Sequence, residues 1–291
     1  MLKEILSIQS ESYNQWRMFA YLIRKLSILE DTDVYVDKGN IYVTKGYARS
    51  YPCVVAHMDT VHDIVEDLTP IEIDGKITGL NRFTMQQVGI GGDDKVGIYI
   101  AMQCLQLFDN IKVAFFRDEE VGCDGSYDAD MNFFSDCKYV LQCDRRGNSD
   151  FIVNGAGVEL SSQDFLRDIQ PLLFGHGYSE TYGSITDVVA LKENGLGVSC
   201  ANISCGYYNP HSPQEYVDIN DVENCLNLVV SIISTLTDTY PHEMPVYKPY
   251  KSYTAWDDAT YCADCWAGEA VHMGLCKDCY QFYQKEYLQG Y

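Results

Sequence analysis

Apolar residues fall in short runs along this chain, and the spacing of those runs sets the expected elements. "PCVVA" at 52–56, "IKVAFF" at 111–116, "KYVLQ" at 138–142 and "GVSCANI" at 197–203 are nearly unbroken, the pattern of strands covered on both faces. Between them the period turns helical. Trp16, Phe19, Ala20, Ile23 and Leu26 predict an amphipathic helix over 11–29 packed on a core by that face. Residues 94–108 are largely apolar, and 220–237 opens on Asn220 and Glu223 in capping-box spacing, which predicts two further helices. Strands alternating with helices make the expected fold α/β, a three-layer sandwich around a mixed, mostly parallel sheet.

After the last helix the period is lost. "DTYPHEMPVYKPYKSY" carries Pro241, Pro245 and Pro249 and reads as a linker over 239–256, which separates a main domain at 1–238 from a small module at 257–291. In that module Cys262, Cys265, Cys276 and Cys279 form two C-x-x-C pairs, the tetrahedral thiolate set of a zinc ribbon with one structural Zn2+. Disulfides are the alternative. Residues 251–291 hold three lysines against six acidic residues, so the module does not read as a nucleic-acid binder and is expected to pack on the main domain or a protein partner.

Composition narrows the picture. The chain of 291 residues carries 42 acidic against 21 basic side chains, a formal charge of -21 that repels a phosphate backbone, so no nucleic-acid partner is expected. No apolar run reaches the ~18 residues of a membrane span, and "MLKEILSIQSESYNQW" lacks the basic and apolar segments of a leader. The expectation is a soluble cytoplasmic protein without a membrane partner. In that reducing compartment the 12 cysteines stay free or bind metal, and the eight outside the ribbon act as small buried hydrophobes.

Candidate chemistry collects where the apolar runs end. His57 follows the first run, Glu119 and Glu120 the second, Asp144 the third, and His211 a short loop after the fourth. In open α/β sheets ligands bind outside the carboxyl ends of the strands, so these side chains could converge on one edge, with Asp93 of "GIGGDDKVG" as a fifth position. Imidazole with carboxylate suits zinc, and a carboxylate can bridge two ions. Taken singly, each has a plainer reading: a hydrogen-bonded core histidine, a solvated acidic pair, a capping aspartate.

In motif content and order the chain resembles the di-zinc exopeptidases, the family of peptidase T and the co-catalytic zinc aminopeptidases. "AHMDTV", "GGDDKVG", "DEEVG", "QCD" and "NPHSPQEY" match its five site motifs, and the resemblance spans roughly 50–235. It implies that His57, Asp93 and Asp144 hold one Zn2+, and that Asp93 bridges to a second held by Glu120 and His211; Co2+ or Mn2+ would also fit so oxygen-rich a site. It implies that Asp59 orients the His57 ring, that Glu119 is the general base for zinc-activated water, and that the Asp93–Asp94 peptide bond is cis. Only 66 residues separate Asp144 from His211, where peptidase T and its nearest relatives insert a lid domain, so no lid is expected.

Substrate-reading residues are less defined. Arg145 and Arg146 of "DRRG" could pair with a substrate carboxylate or with surface acids. "GHGYSETYGSITDV" could line the pocket, with His176 as an oxyanion donor or simply exposed in a Gly-His-Gly loop, and Asp187 reads equally as a helix cap. The expected activity is aminopeptidase or tripeptidase action on short peptides. A carboxypeptidase or N-acyl amino acid deacylase would use the same metals, and a non-catalytic adaptor acting through the ribbon is the alternative of another class. An oligomer is compatible with the sequence but is not predicted.

Overall fold

The computed structural model describes residues 1–244 and Lys277. The zinc ribbon expected at 257–291, with Cys262, Cys265, Cys276 and Cys279, and the linker beyond residue 244 lie outside the described residues.

Among the described residues fourteen strands form two sheets. In chain order they are β1 (Thr32–Asp37), β2 (Asn40–Lys45), β3 (Tyr51–His57), β4 (Leu68–Ile73), β5 (Lys76–Asn81), β6 (Gln86–Val88) and β7 (Ile111–Phe116), then β8 (Cys137–Arg145), β9 (Asp150–Gly155), β10 (Val158–Glu159), β11 (Ser179–Gly183), β12 (Cys200–Ser204), β13 (Tyr207–Tyr208) and β14 (Tyr216–Asp218). The helices are α1 (Leu2–Leu6), α2 (Trp16–Leu26), α3 (Gly92–Leu107), α4 (Asp124–Tyr127), α5 (Gln163–His176), α6 (Asp187–Glu193) and α7 (Ile219–Thr235). The main sheet runs β1-β2-β7-β3-β8-β12-β9-β10, with β11 beside β9. Its centre, β7-β3-β8-β12, is parallel. The antiparallel β1 and β2 extend one edge, and β12 meets β9 antiparallel on the other side.

The central strands read as continuous apolar runs because both of their faces are covered. Val54, Ala56, Val113, Phe115, Tyr139 and Leu141 join Met18, Leu22, Ile98, Phe165 and Leu228 of α2, α3, α5 and α7 in one core. The alternate residues Cys53, Val55, Ala114, Phe116 and Val140 face Val188, Val189 and Leu191 of α6 in the other. The eight cysteines of the described residues are buried and unpaired. Between Asp144 and His211 the chain builds β9 to β13 with α5 and α6. Among the described residues no helix is long and apolar enough to cross a membrane.

Several expected boundaries move. The helix expected over 11–29 is Trp16–Leu26, and its buried positions are Met18, Tyr21, Leu22 and Leu26, while Trp16 is exposed. That face repeats at three and four residues through Met18, so the expected stripe was rotated toward the flank where Phe19 and Ile23 are half-buried. For α7 the cap is Asp218, whose carboxylate accepts the Asn220 backbone N–H at 3.0 Å. The strand expected at 197–203 is 200–204.

The small sheet, β13-β14-β5-β4 with β6 on β5, positions one loop that matters. Antiparallel pairing of Tyr207 with Val217 and Tyr208 with Tyr216 closes residues 209–215 into a loop that carries His211 beside the carboxyl ends of β3, β7 and β8.

Candidate metal centre

His57 is the last residue of β3 and is 1% exposed. Its Nδ1 lies 3.0 Å from the backbone oxygen of Asp59 and 3.3 Å from that residue's Oδ1. Both neighbours only accept, so Nδ1 donates toward Asp59 and Nε2 is the ring nitrogen turned to the cleft. There Nε2 stands 3.3 Å from Oδ1 of Asp93, 3.8 Å from Oδ1 of Asp144 and 3.9 Å from Oε2 of Glu119.

Asp93 arrives on the opening of α3. The preceding Gly91 has φ +66°, and a Cβ there would meet Thr60 Cγ2 at 2.7 Å, so only glycine fits this turn. The Asp93–Asp94 peptide bond is cis. While Oδ1 of Asp93 faces His57, its Oδ2 lies 3.4 Å from Nε2 of His211, which in turn is 3.1 Å from Oε2 of Glu120. Two donor sets result, His57 with Asp93 and Asp144, and Asp93 with Glu120 and His211; the ligand atoms of each lie within 4.8 Å of one another. Asp93 belongs to both, one oxygen toward each.

Glu119 stands beside the two sets and in neither. Its Oε1 accepts a hydrogen bond from the Cys123 thiol at 3.6 Å, which leaves Oε2 toward His57. The turn bearing both glutamates is held by Asp59, whose carboxylate accepts the backbone N–H of Glu119 at 2.9 Å and of Glu120 at 3.3 Å, with the Ser12 hydroxyl at 2.8 Å.

Four carboxyl groups crowd this cleft. Burial, then repulsion by Asp93, pushes Asp144 up to about 8. Burial, then repulsion from Asp144 and its acidic neighbours, lifts Glu119 to about 9, and burial also raises Glu120. Asp93 stays below the ordinary carboxylate range in spite of burial, because His211 and His57 hydrogen-bond to it. One buried oxygen, Oε1 of Glu120, has no hydrogen-bond partner among the described residues. Crowded anions and an orphaned oxygen fit divalent cations, whose charge offsets both costs.

Several supporting residues escaped the sequence reading. Gln142 is fully buried; its Oε1 accepts the Val188 N–H at 3.1 Å, which turns Nε2 toward Asp144 Oδ2 at 3.0 Å and Asp187 Oδ2 at 3.2 Å. Tyr207 donates its hydroxyl to Asp144 Oδ1 at 3.2 Å, and Asn202 pairs with both the N–H and the C=O of Asp144. Asp94 accepts the backbone N–H of His57 at 3.2 Å, joining α3 to β3. Only Gln142 left a signal, being two residues from Asp144 and hence on the same strand face. Asp187, at the start of α6, is fully buried with Oδ1 unpartnered among the described residues.

A cavity of about 530 Å3 opens over the centre, lined by Asp93, Glu119, Glu120, Asp144 and His211 together with Arg145, Arg146, Ile152, Ile185 and Tyr207. Arg145 also pairs with Asp150 at 3.2 Å. His176 does not line it. The histidine ends α5, where Gly177 at φ +77° caps the helix, and its ring faces Asn224 and Ser231 of α7 at 3.3 and 3.2 Å. The Gly-His-Gly stretch is thus a helix end in place of the expected loop.

No family model matches the chain, and no curated protein sequence matches it. Solved structures do. The aminopeptidase PepT of Bacillus cereus aligns with a TM-score of 0.64 at 15% identity, covering 80% of this chain and 96% of that one. A tripeptidase of Staphylococcus aureus gives 0.63 at 15% identity, covering 80% and 95%. The TET1 peptidase of Pyrococcus horikoshii, which can assemble into a tetrahedron or a large octahedral shell, gives 0.58 at 15% identity, covering 80% and 98%. This chain shares their fold; what its own residues do has to be argued from the site.

Proposed function

We propose that this chain is a metal-dependent exopeptidase that removes the first residue from di- or tripeptides with a free amino terminus. The observation that carries the reading is Asp93, shared by two donor sets with a glutamate in neither set standing beside them. The aminopeptidase and tripeptidase names of the fold neighbours point the same way.

His57, Asp93 and Asp144 would hold one cation, and Asp93, Glu120 and His211 a second, with zinc the first choice and cobalt or manganese compatible with the oxygen-rich set. Bound there, the cations supply Lewis acidity and an acidified water. Glu119 takes the proton at Oε2, the oxygen left open when Cys123 engages Oε1. It then returns the proton to the leaving amine. A chain of charge -21 attracts an ammonium terminus. Arg146, on the cavity wall, is available to a terminal carboxylate at the far end. A cavity of about 530 Å3 is on the scale of a small-ligand site, which favours short peptides.

The test is mass spectrometry of one tripeptide presented free, N-acetylated and C-amidated. Release of the first residue from the free form and little turnover of the acetylated form are expected. Faster cleavage of the acetylated form would transfer the reading to a carboxypeptidase or deacylase.

A further inference from the structure

Glu215 is fully buried at the far end of the loop that carries His211. Its Oε2 accepts the backbone N–H of Gly91 at 2.6 Å and faces Nε2 of His62 at 2.8 Å; its Oε1 accepts the backbone N–H of Asp93 at 3.2 Å. A carboxylate only accepts, so Nε2 is the protonated nitrogen of His62. On its other side the turn before Asp93 is gripped by buried Lys95, whose Nζ donates to the Ile90 oxygen at 2.8 Å. The carboxylate is therefore a clamp between two segments that are 122 residues apart in sequence and each supply a ligand to the same donor set.

The two donor sets depend on this clamp unequally. His57 and Asp144 lie on parallel strands of the main sheet, and their backbones are fixed by Asp94 and Asn202. His211 sits at φ +59° with its side chain 52% exposed, on a loop whose hydrogen bonds, those of Glu215 apart, are short-range, such as Ser212 Oγ to Asn209 O at 2.8 Å. Removing the clamp frees the His211 loop from the Asp93 turn and leaves the strand ends in place.

We propose that Glu215 is a positioning residue that holds the His211 loop against the Asp93 turn and thereby sets the affinity of the Asp93–Glu120–His211 cation site separately from that of the His57–Asp93–Asp144 site. The inference rests on the two-site reading above and reaches a residue that reading does not use. Supports of this kind typically change metal affinity about 10–100-fold.

The test uses the full chain, stripped with a chelator and titrated with Mn2+, an ion poorly suited to cysteine thiolates, with electron paramagnetic resonance reporting spin coupling between neighbouring ions. Glu215→Gln keeps the shape but offers one oxygen to three N–H donors. The first Mn2+ should bind as in the parent and the second at least about tenfold more weakly, with spin coupling lost at limiting Mn2+. Equal second-site affinity in variant and parent, or equal weakening of both sites, overturns the proposal. Should Glu215→Gln fail to fold, His62→Ala removes one donor from the clamp at a distance from both sites; it should weaken the second site alone, and unchanged second-site binding then overturns the proposal. A parent protein that binds a coupled Mn2+ pair yet cleaves no peptide would defeat the function proposed above and leave the role of Glu215 standing.

Discussion

Asp59 and Glu119 are joined directly: Oδ1 of Asp59 accepts the backbone N–H of Glu119 at 2.9 Å while standing 3.3 Å from Nδ1 of His57. One carboxylate thus fixes both a candidate ligand histidine and the turn bearing the candidate base. Asp59→Asn offers a single oxygen where two serve Glu119, Glu120 and Ser12. Metal affinity should fall about 10–100-fold, read by chelator competition, with a matching loss of peptide turnover at limiting metal. Parental affinity in the variant would remove Asp59 from the account.

Glu119 and Glu120 are adjacent in sequence and different in surroundings. Glu119 faces His57 at 3.9 Å without joining a donor set, whereas Glu120 lies 3.1 Å from His211 within one. Glu119→Gln should keep two cations in the centre and lower kcat by about 10²–10⁴-fold. Glu120→Gln should lose affinity for one of the two. Identical behaviour of the variants in metal titration and kinetics would contradict the division.

Stability of the metal-free protein should depend on pH in a defined direction. Burial and neighbouring charge place Asp144 at about 8 and Glu119 at about 9 in the fold, whereas unfolded carboxyls titrate near 4. Between those values the folded state binds more protons, so its stability falls as pH rises. His57 acts in the same sense: burial opposes its protonation, but hydrogen bonds to Asp144, Asp59 and Asp93 hold it well above the ordinary range, and the stability it contributes is lost as pH climbs through its folded value. Asp93, held low, contributes steadily throughout this window. Melting of the chelated protein should therefore drop between about pH 5 and 9, and melting of the metal-loaded protein should vary much less. A chelated protein that gains stability over that range would contradict this electrostatic reading.

How much of this was legible beforehand follows from which contacts are local. The carboxyl ends of β3, β7 and β8 could be found because those strands are buried on both faces and appear as largely apolar runs, each ending at or just before a polar residue. β1 and β4 could not, since they are half-exposed and carry no such run. The candidate ligands at strand ends stood out in the same way. Their supports did not: Glu215 reaches His62 across 153 positions, and nothing in the spacing of either residue announces the other. His176 was misplaced for a local reason, because glycines on both sides suggested a loop where Gly177 closes a helix.

The cysteine-rich segment carries a separate expectation that rests on sequence alone. Two C-x-x-C pairs predict one zinc beyond the two proposed for the centre, so elemental analysis after gentle purification should give about three per chain. Cys276→Ser should lower that content by one and leave peptide turnover measurable. Unchanged zinc content in the variant would dismiss the ribbon.

The central claim is that Asp93 is shared between two cations. Anomalous diffraction at the zinc edge from crystals of the metal-loaded chain tests it most directly. Two peaks separated by roughly 3.5–4 Å are expected, one beside His57 and Asp144 and one beside Glu120 and His211, with an oxygen of Asp93 on each. A single peak, or two peaks of which one lies away from Asp93, would contradict it.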